Sequence, residues 1–143
     1  MPAAAYIVAM DVSFVEQSGV IPWRDSAGGV EILMITSRRT GEWQVPKGSV
    51  EAHLGSVASA AEEGWEEAGA RGVINPEPAG MYLYDKYYWL HQVTLYPLRV
   101  TEVQAEFLEA GERKLAWVPL SEAPDRVSNL GLAELLRVFS PSC

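Results

Sequence analysis

Glu63, Glu66 and Glu67 stand at positions i, i+3 and i+4 of a stretch with helical patterning. On a helix that spacing makes their carboxylates neighbours in one sector. Like charges so placed oppose the helix by about 0.2–0.5 kcal/mol per pair. No lysine or arginine between Ser56 and Ala68 relieves them. Gly64, inside the same stretch, adds about 1 kcal/mol relative to alanine. Violations of local rules are expected at functional sites. Two readings fit the glutamates alone: a solvated acidic face, or a site for a hard divalent cation. Such a cation takes carboxylate oxygens, waters and substrate phosphates as ligands.

The segment upstream bears on that choice. Trp43-Gln44-Val45-Pro46-Lys47-Gly48 puts a cation and a glycine just before the acidic stretch. Gly48 lets the backbone turn tightly and bring its carbonyl toward a ligand. Lys47, with Arg38 and Arg39, sets positive charge beside a negative cluster. A site with metal ions and cations together suits a pyrophosphate group, although an Arg-Arg pair is more often simply solvated. The chain's formal net charge is −8, which opposes binding of a nucleic-acid polymer, since that needs a basic face. A small phosphate compound remains compatible, because a bound metal ion reverses the local sign. His53 and His91 lack metal-ligand spacing, and Cys143 is the sole cysteine, so neither an internal disulfide nor a cysteine-based zinc site is expected.

The elements that must hold these residues follow from patterning. Ser13–Trp23, Val30–Thr36, Gly80–Tyr84, Tyr87–Val103 and Lys114–Pro119 are expected strands, and Glu42–Val45 a short extended piece. Asp25–Gly29 and Asn75–Gly80 are expected loops. Ser56–Ala68 is a helix, with Gly69 as its left-handed terminus. Its apolar stripe, Leu54, Val57, Ala58, Ala61, Trp65 and Ala68, should face the sheet, leaving Glu63, Glu66 and Glu67 opposite. Leu130–Phe139 is an amphipathic closing helix. The order suggests one α+β domain over residues 1–143, its core within 13–139, with helices on a mixed sheet. The run Ala3–Met10 is too short to span a bilayer and lacks the basic start of a secretory signal. No membrane association is expected, and the cytoplasm is the expected compartment. Nothing in the sequence fixes an oligomeric state.

The stretch from Gly48 to Ala70 resembles the signature of the Nudix hydrolases, G-x5-E-x7-R-E-U-x-E-E-x-G-U, where U is bulky and aliphatic. Aligned on Gly48, Glu63 takes the glutamate of the R-E pair, Glu66 and Glu67 the E-E pair, and Gly69 the closing glycine. Glu51 matches a glutamate often found early in the loop. Beyond the box, Phe14–Arg24, Ile32–Gly48 and Arg113–Ala123 are similar to the branch of diphosphoinositol polyphosphate phosphohydrolases. Leu54, Glu62 and Gly64 depart from the pattern. The first two positions are understood to form an ion bridge between loop and helix in the family, and both partners differ here. The resemblance implies an α/β/α sandwich with a mixed sheet flanked by helices. It implies hydrolysis of a diphosphate linkage in a nucleoside-diphosphate-type or polyphosphorylated small molecule, with Mg²⁺ (or Mn²⁺) as cofactor. Glu63, Glu66, Glu67 and the Gly48 carbonyl would be metal ligands, with Glu66 a ligand or general base. Arg38, Arg39 and Lys47 would take substrate phosphates. Tyr82, Tyr84, Tyr87, Tyr88 and Trp89 are candidates for stacking on a base, or simply cross-strand partners. The alternative is a Nudix-like binding module whose altered box turns over slowly or not at all.

Overall fold

In the computed structural model, which describes residues 14–141, the centre of the fold is strand β1, Phe14–Ser26. Ser18 to Trp23 are buried in an unbroken run, as expected of a strand covered on both faces. It pairs in parallel with β7 (Trp89–Val103), from Phe14 opposite Leu90 to Trp23 opposite Arg99. On its other side it forms an antiparallel hairpin with β2, Gly29–Thr36. Its earlier part, at Gln17, Ser18 and Gly19, pairs with β4, Lys47–Ser49. β3 (Trp43–Gln44) and β8 (Leu115–Pro119) pair with β2, while β5 (Ala70–Ile74) and β6 (Gly80–Lys86) pair with β7. The sheet is therefore mixed, as expected.

Strand alternation splits the apolar residues between two layers. Val20, Leu33 and Ile35 pack under helix α1, Gly55–Ala68, with its Ala60 and Ala68. Ile21, Ile32 and Met34 pack on the opposite face against Leu132, Leu135 and Leu136 of helix α3, Leu130–Val138. A short helix α2, Ala123–Arg126, precedes α3. Helices on both faces of the sheet make the α/β/α sandwich.

Several expectations need correction. β1 runs to Ser26, so the loop expected from Asp25 shrinks to a turn at Ala27-Gly28. The expected strands Gly80–Tyr84 and Tyr87–Val103 leave a gap at Asp85-Lys86, but the turn lies at Tyr87-Tyr88, both at positive φ. β5, β4 and α2 were not anticipated. Ser13 and Cys143 lie outside the described residues, as does the run Ala3–Met10.

The largest correction concerns the face of α1. Its buried residues are Ser59, Ala60, Gly64, Glu67 and Ala68, and Ala58 is exposed. The helix docks by its smallest side chains. A Cβ at Gly64 would lie 3.0 Å from Val20 and 3.5 Å from Leu98. Trp65 sits to one side, under the Arg71 guanidinium at 3.6 Å from its ring centroid. Glu67 consequently points inward and is only 6% exposed. Gly64→Leu, which restores an aliphatic side chain at this signature position, should overpack the helix–sheet contact and cost about 1–3 kcal/mol in urea unfolding. Undiminished stability would contradict the tight docking.

Candidate functional site

The inward tilt of α1 brings its carboxylates to β4. β1 and β4 run close enough that a Cβ on Gly19 would fall 2.1 Å from the Pro46 carbonyl oxygen. This proximity seats Lys47 and Gly48 against α1. Gly48 lies in a paired strand opposite Ser18, and its φ is not positive, so the tight turn expected of it is absent. Its lack of a side chain has another use. A Cβ there would stand 2.2 Å from Glu63 Oε1. Glu63 occupies the space that any other residue would fill.

The Glu67 carboxylate is held from two sides. Oε1 accepts the Lys47 backbone N–H at 3.1 Å, and Oε2 accepts from Arg113 Nη2 at 3.1 Å. Arg113 is 5% exposed and also contacts Glu109 at 3.0 Å. Glu66 is half-buried, and its carbonyl accepts the Glu109 N–H at 3.0 Å. Burial, then the charges of Glu67, Glu66 and Glu109, push the Glu63 carboxyl up to about 8, with Glu67 within hydrogen-bonding reach. Burial raises Glu67 too, opposed by Arg113 and the Lys47 N–H. Burial brings the Lys47 ammonium down to about 8. Its Nζ donates to the Tyr84 hydroxyl at 3.3 Å.

These shifts set a pH dependence. Glu63 binds its proton more tightly in the fold, at about 8 against 4.5 for an ordinary glutamate. Its contribution is full below the unfolded value and is lost as pH rises through the folded one. In chelator, the melting temperature should fall from about pH 5 to about pH 8. Calorimetry showing a rise across that window would contradict the crowding of these carboxyls.

Arg38, Arg39 and Lys47 line one cavity of about 590 Å³ with Gly48, Glu63, Glu66 and Glu67. The structure thus brings every expected site residue together. Arg38 and Arg39 are exposed at its rim. Arg38 pairs with the largely buried Glu109 at 3.4 Å and with the exposed Glu112 at 3.1 Å, the latter a contact of small energetic weight. Of the aromatic candidates, Tyr82 and Tyr84 line the cavity. Tyr84 donates to Gln17 at 2.6 Å and stacks on His91. Tyr82 is buried, and among the described residues its hydroxyl has no hydrogen-bond partner. Tyr87, Tyr88 and Trp89 are exposed at the turn.

Neutral hydrogen bonds tie α1 to the preceding loop and to β1. The Glu51 N–H donates to Ser59 Oγ at 2.9 Å, and Ser18 Oγ donates to the Ser56 carbonyl at 2.7 Å. Glu62 is exposed. Glu109 and Arg113 are the site residues that sequence reasoning missed. They lie four apart, but in a segment without helical periodicity, so no pattern marked them.

The donor set suits a hard cation: oxygens only, two of them on carboxyls crowded beside a backbone with no Cβ. Among the described residues no three acidic or histidine side chains are gathered as ready-made ligands. Glu63 and Glu67 converge, and Glu66 lies on the adjacent turn.

A sandwich of helices on a mixed sheet, with a glutamate helix opening onto a cavity lined by cations, defines the class. Residues 16–139 match the NUDIX domain, and the chain belongs to that family. It is 30% identical over 127 residues to Nudix hydrolase 21, chloroplastic, of Arabidopsis thaliana, covering 85% of this chain and 64% of the relative. It is 28% identical over 116 residues to Nudix hydrolase 12, mitochondrial, of the same plant, covering 76% and 55%. The chain thus spans less than two thirds of these relatives' lengths. The fold is also that of an Ap4A hydrolase from C. elegans, with TM-score 0.69, 22% identity, and coverage of 87% and 95%. The NUDIX domain of Shewanella oneidensis NrtR, complexed with ADP ribose, matches with TM-score 0.66 and 13% identity over 96% of both chains. Among the described residues no helix is long and apolar enough to cross a membrane.

Proposed function

We propose that this chain is a Mg²⁺-dependent hydrolase, with Mn²⁺ as a substitute, of a diphosphate linkage in a nucleoside-diphosphate-type or polyphosphorylated small molecule. The observation that carries this reading is the Glu63–Glu67 carboxyl pair seated against Gly48, on a cavity that also presents Arg38, Arg39 and Lys47. Glu63, Glu66, Glu67 and the Gly48 carbonyl would hold the metal. When bound, it supplies neutralisation at the phosphate oxygens and a more acidic water. Arg38 and Arg39 offer forked donors to phosphate oxygens, and Lys47 a compact charge deeper in the cavity. Glu66 is free to take a proton from the attacking water, since Glu67 is tied by two donors. The similarity to the diphosphoinositol branch and the name of the C. elegans neighbour favour polyphosphorylated substrates. The compartments named for the plant relatives belong to those proteins; cytoplasmic location stays part of this proposal.

The rival reading, a binding module with a spoiled box, draws on Leu54 and Glu62. The Ser59 link weakens it, because the loop stays tied to the helix without an ion pair. A substrate panel with Mg²⁺ decides: dinucleoside polyphosphates, inositol pyrophosphates, nucleotide sugars and nucleoside triphosphates. We expect metal-dependent turnover of at least one class. Metal and substrate binding with no turnover anywhere on the panel would leave only the binding module.

A further inference from the structure

We propose that Arg113 is the positioning residue of this carboxylate site, holding Glu67 from outside the helix. The inference rests on the metal-site reading above.

Its contacts join three segments. Nη2 reaches Glu67 Oε2 on α1 at 3.1 Å and Glu109 Oε1 at 3.0 Å. Nε also donates to Glu109 Oε1 at 3.1 Å, and Nη1 donates to the Thr36 carbonyl at the end of β2 at 2.9 Å. The backbone beside it is anchored independently of α1. The Lys114 N–H donates to Thr36 Oγ1 at 2.9 Å, and the Thr36 N–H donates to the Lys114 carbonyl at 3.0 Å. The arginine therefore projects from the sheet onto the helix, across 46 residues of sequence.

The result at Glu67 is a carboxylate with one donor on each oxygen, Arg113 from one side and the Lys47 N–H from the other. The Lys47 donor stands at the start of β4, and the Arg113 donor two residues before β8. A carboxylate so clamped is limited to one orientation, which is what a ligand or its immediate neighbour needs. The same guanidinium lies between Glu67 and Glu109, which would otherwise repel. Only a planar fork reaches these oxygens at once; an ammonium on a flexible stem can satisfy one or two. The pair is buried, with side chains 5% and 7% exposed, so its geometry is held far more firmly than that of a surface ion pair.

The decisive variants are Arg113→Lys and Arg113→Met. Three readouts are needed: Mn²⁺ affinity by calorimetric titration of the protein without substrate, the melting temperature in chelator, and kcat and KM separately. Arg113→Lys is expected to melt cooperatively, to bind Mn²⁺ about tenfold or more weakly, and to lose kcat with little change in KM. Arg113→Met should lose more. If Arg113→Met does not fold, Arg113→Lys decides alone. A purely structural arginine would lower the melting temperature and leave the Mn²⁺ affinity of the folded protein unchanged. That result, or wild-type Mn²⁺ affinity in Arg113→Lys, overturns the proposal. Wild-type protein that takes up no Mn²⁺ fails differently: it removes the metal-site reading itself, and this inference with it.

Discussion

Glutamine at Glu67 will remove metal-dependent turnover and weaken the fold, whereas glutamine at Glu63 will remove turnover and leave the metal-free fold at least as stable. Both lose a charged oxygen donor at the site. Stabilisation of the transition state by a bound metal is worth several kcal/mol, so turnover should fall by about 10³-fold or more in each. Stability separates them. Glu67 is buried and accepts from Arg113 and from the Lys47 N–H. An amide cannot satisfy both donors as a carboxylate does. The expected cost is about 1–3 kcal/mol, that of a buried donor left unsatisfied. It stays at that level because Glu109 still faces Arg113. Among the described residues Glu63 has no such donors. Its carboxyl is crowded by burial and by three other carboxylates, which push it up to about 8. A neutral amide resembles the protonated form, so little is lost near neutrality, and repulsion is relieved at higher pH. Urea unfolding in chelator, with turnover measured in Mg²⁺, tests both halves. Equal destabilisation of the two variants would refute the asymmetry, and retained turnover in both would refute the carboxylates' role.

That asymmetry marks where sequence reading reached and where it stopped. The i, i+3, i+4 spacing of Glu63, Glu66 and Glu67 is a local property of a helix, so it was legible from residues alone. The sheet's central strands were legible because Val20-Ile21 and Ile32 to Ile35 form compact apolar runs. Orientation of α1 was not. A hydrophobic stripe weighs side chains by their apolar surface, and this weighting put Trp65 against the sheet. The actual contact selects small residues, Ala60, Gly64 and Ala68, because the backbones approach closely. Glu67 was turned inward by the same choice. β5 was missed because Ala70–Ile74 contains Arg71 and Gly72, and the latter lies where a Cβ would meet the Arg99 carbonyl oxygen at a bulge in the pairing. Arg113 could not be found by spacing, since its partner Glu67 is remote in sequence. The departures at Leu54 and Glu62 looked like losses for a related reason. Ser59, whose Oγ accepts the Glu51 N–H, is a neutral hydroxyl with no motif of its own.

Gly48→Ala tests the site by space rather than by charge. The added methyl group would lie 2.2 Å from Glu63 Oε1 and 2.3 Å from its carboxyl carbon, distances no real contact sustains. The obstacle is the end of a flexible side chain, so Glu63 can swing away and the backbone need not move. The fold should therefore survive, with a stability change within about 1 kcal/mol, as for replacements that disturb no buried network. Glu63 would lose its seat beside Glu67, however, and metal affinity should fall about 10- to 100-fold, as when the support of a ligand is removed. Gly19→Ala supplies the contrast. There the obstacle is the Pro46 carbonyl oxygen at 2.1 Å and the Lys47 Cα at 2.9 Å. Backbone cannot swing, so β4 must leave β1 and stability should drop. If Glu63 is seated as described, Gly48→Ala will melt close to wild type while binding Mn²⁺ poorly. An alanine at 48 that binds Mn²⁺ as wild type does would mean that Glu63 holds the metal from elsewhere, or not at all.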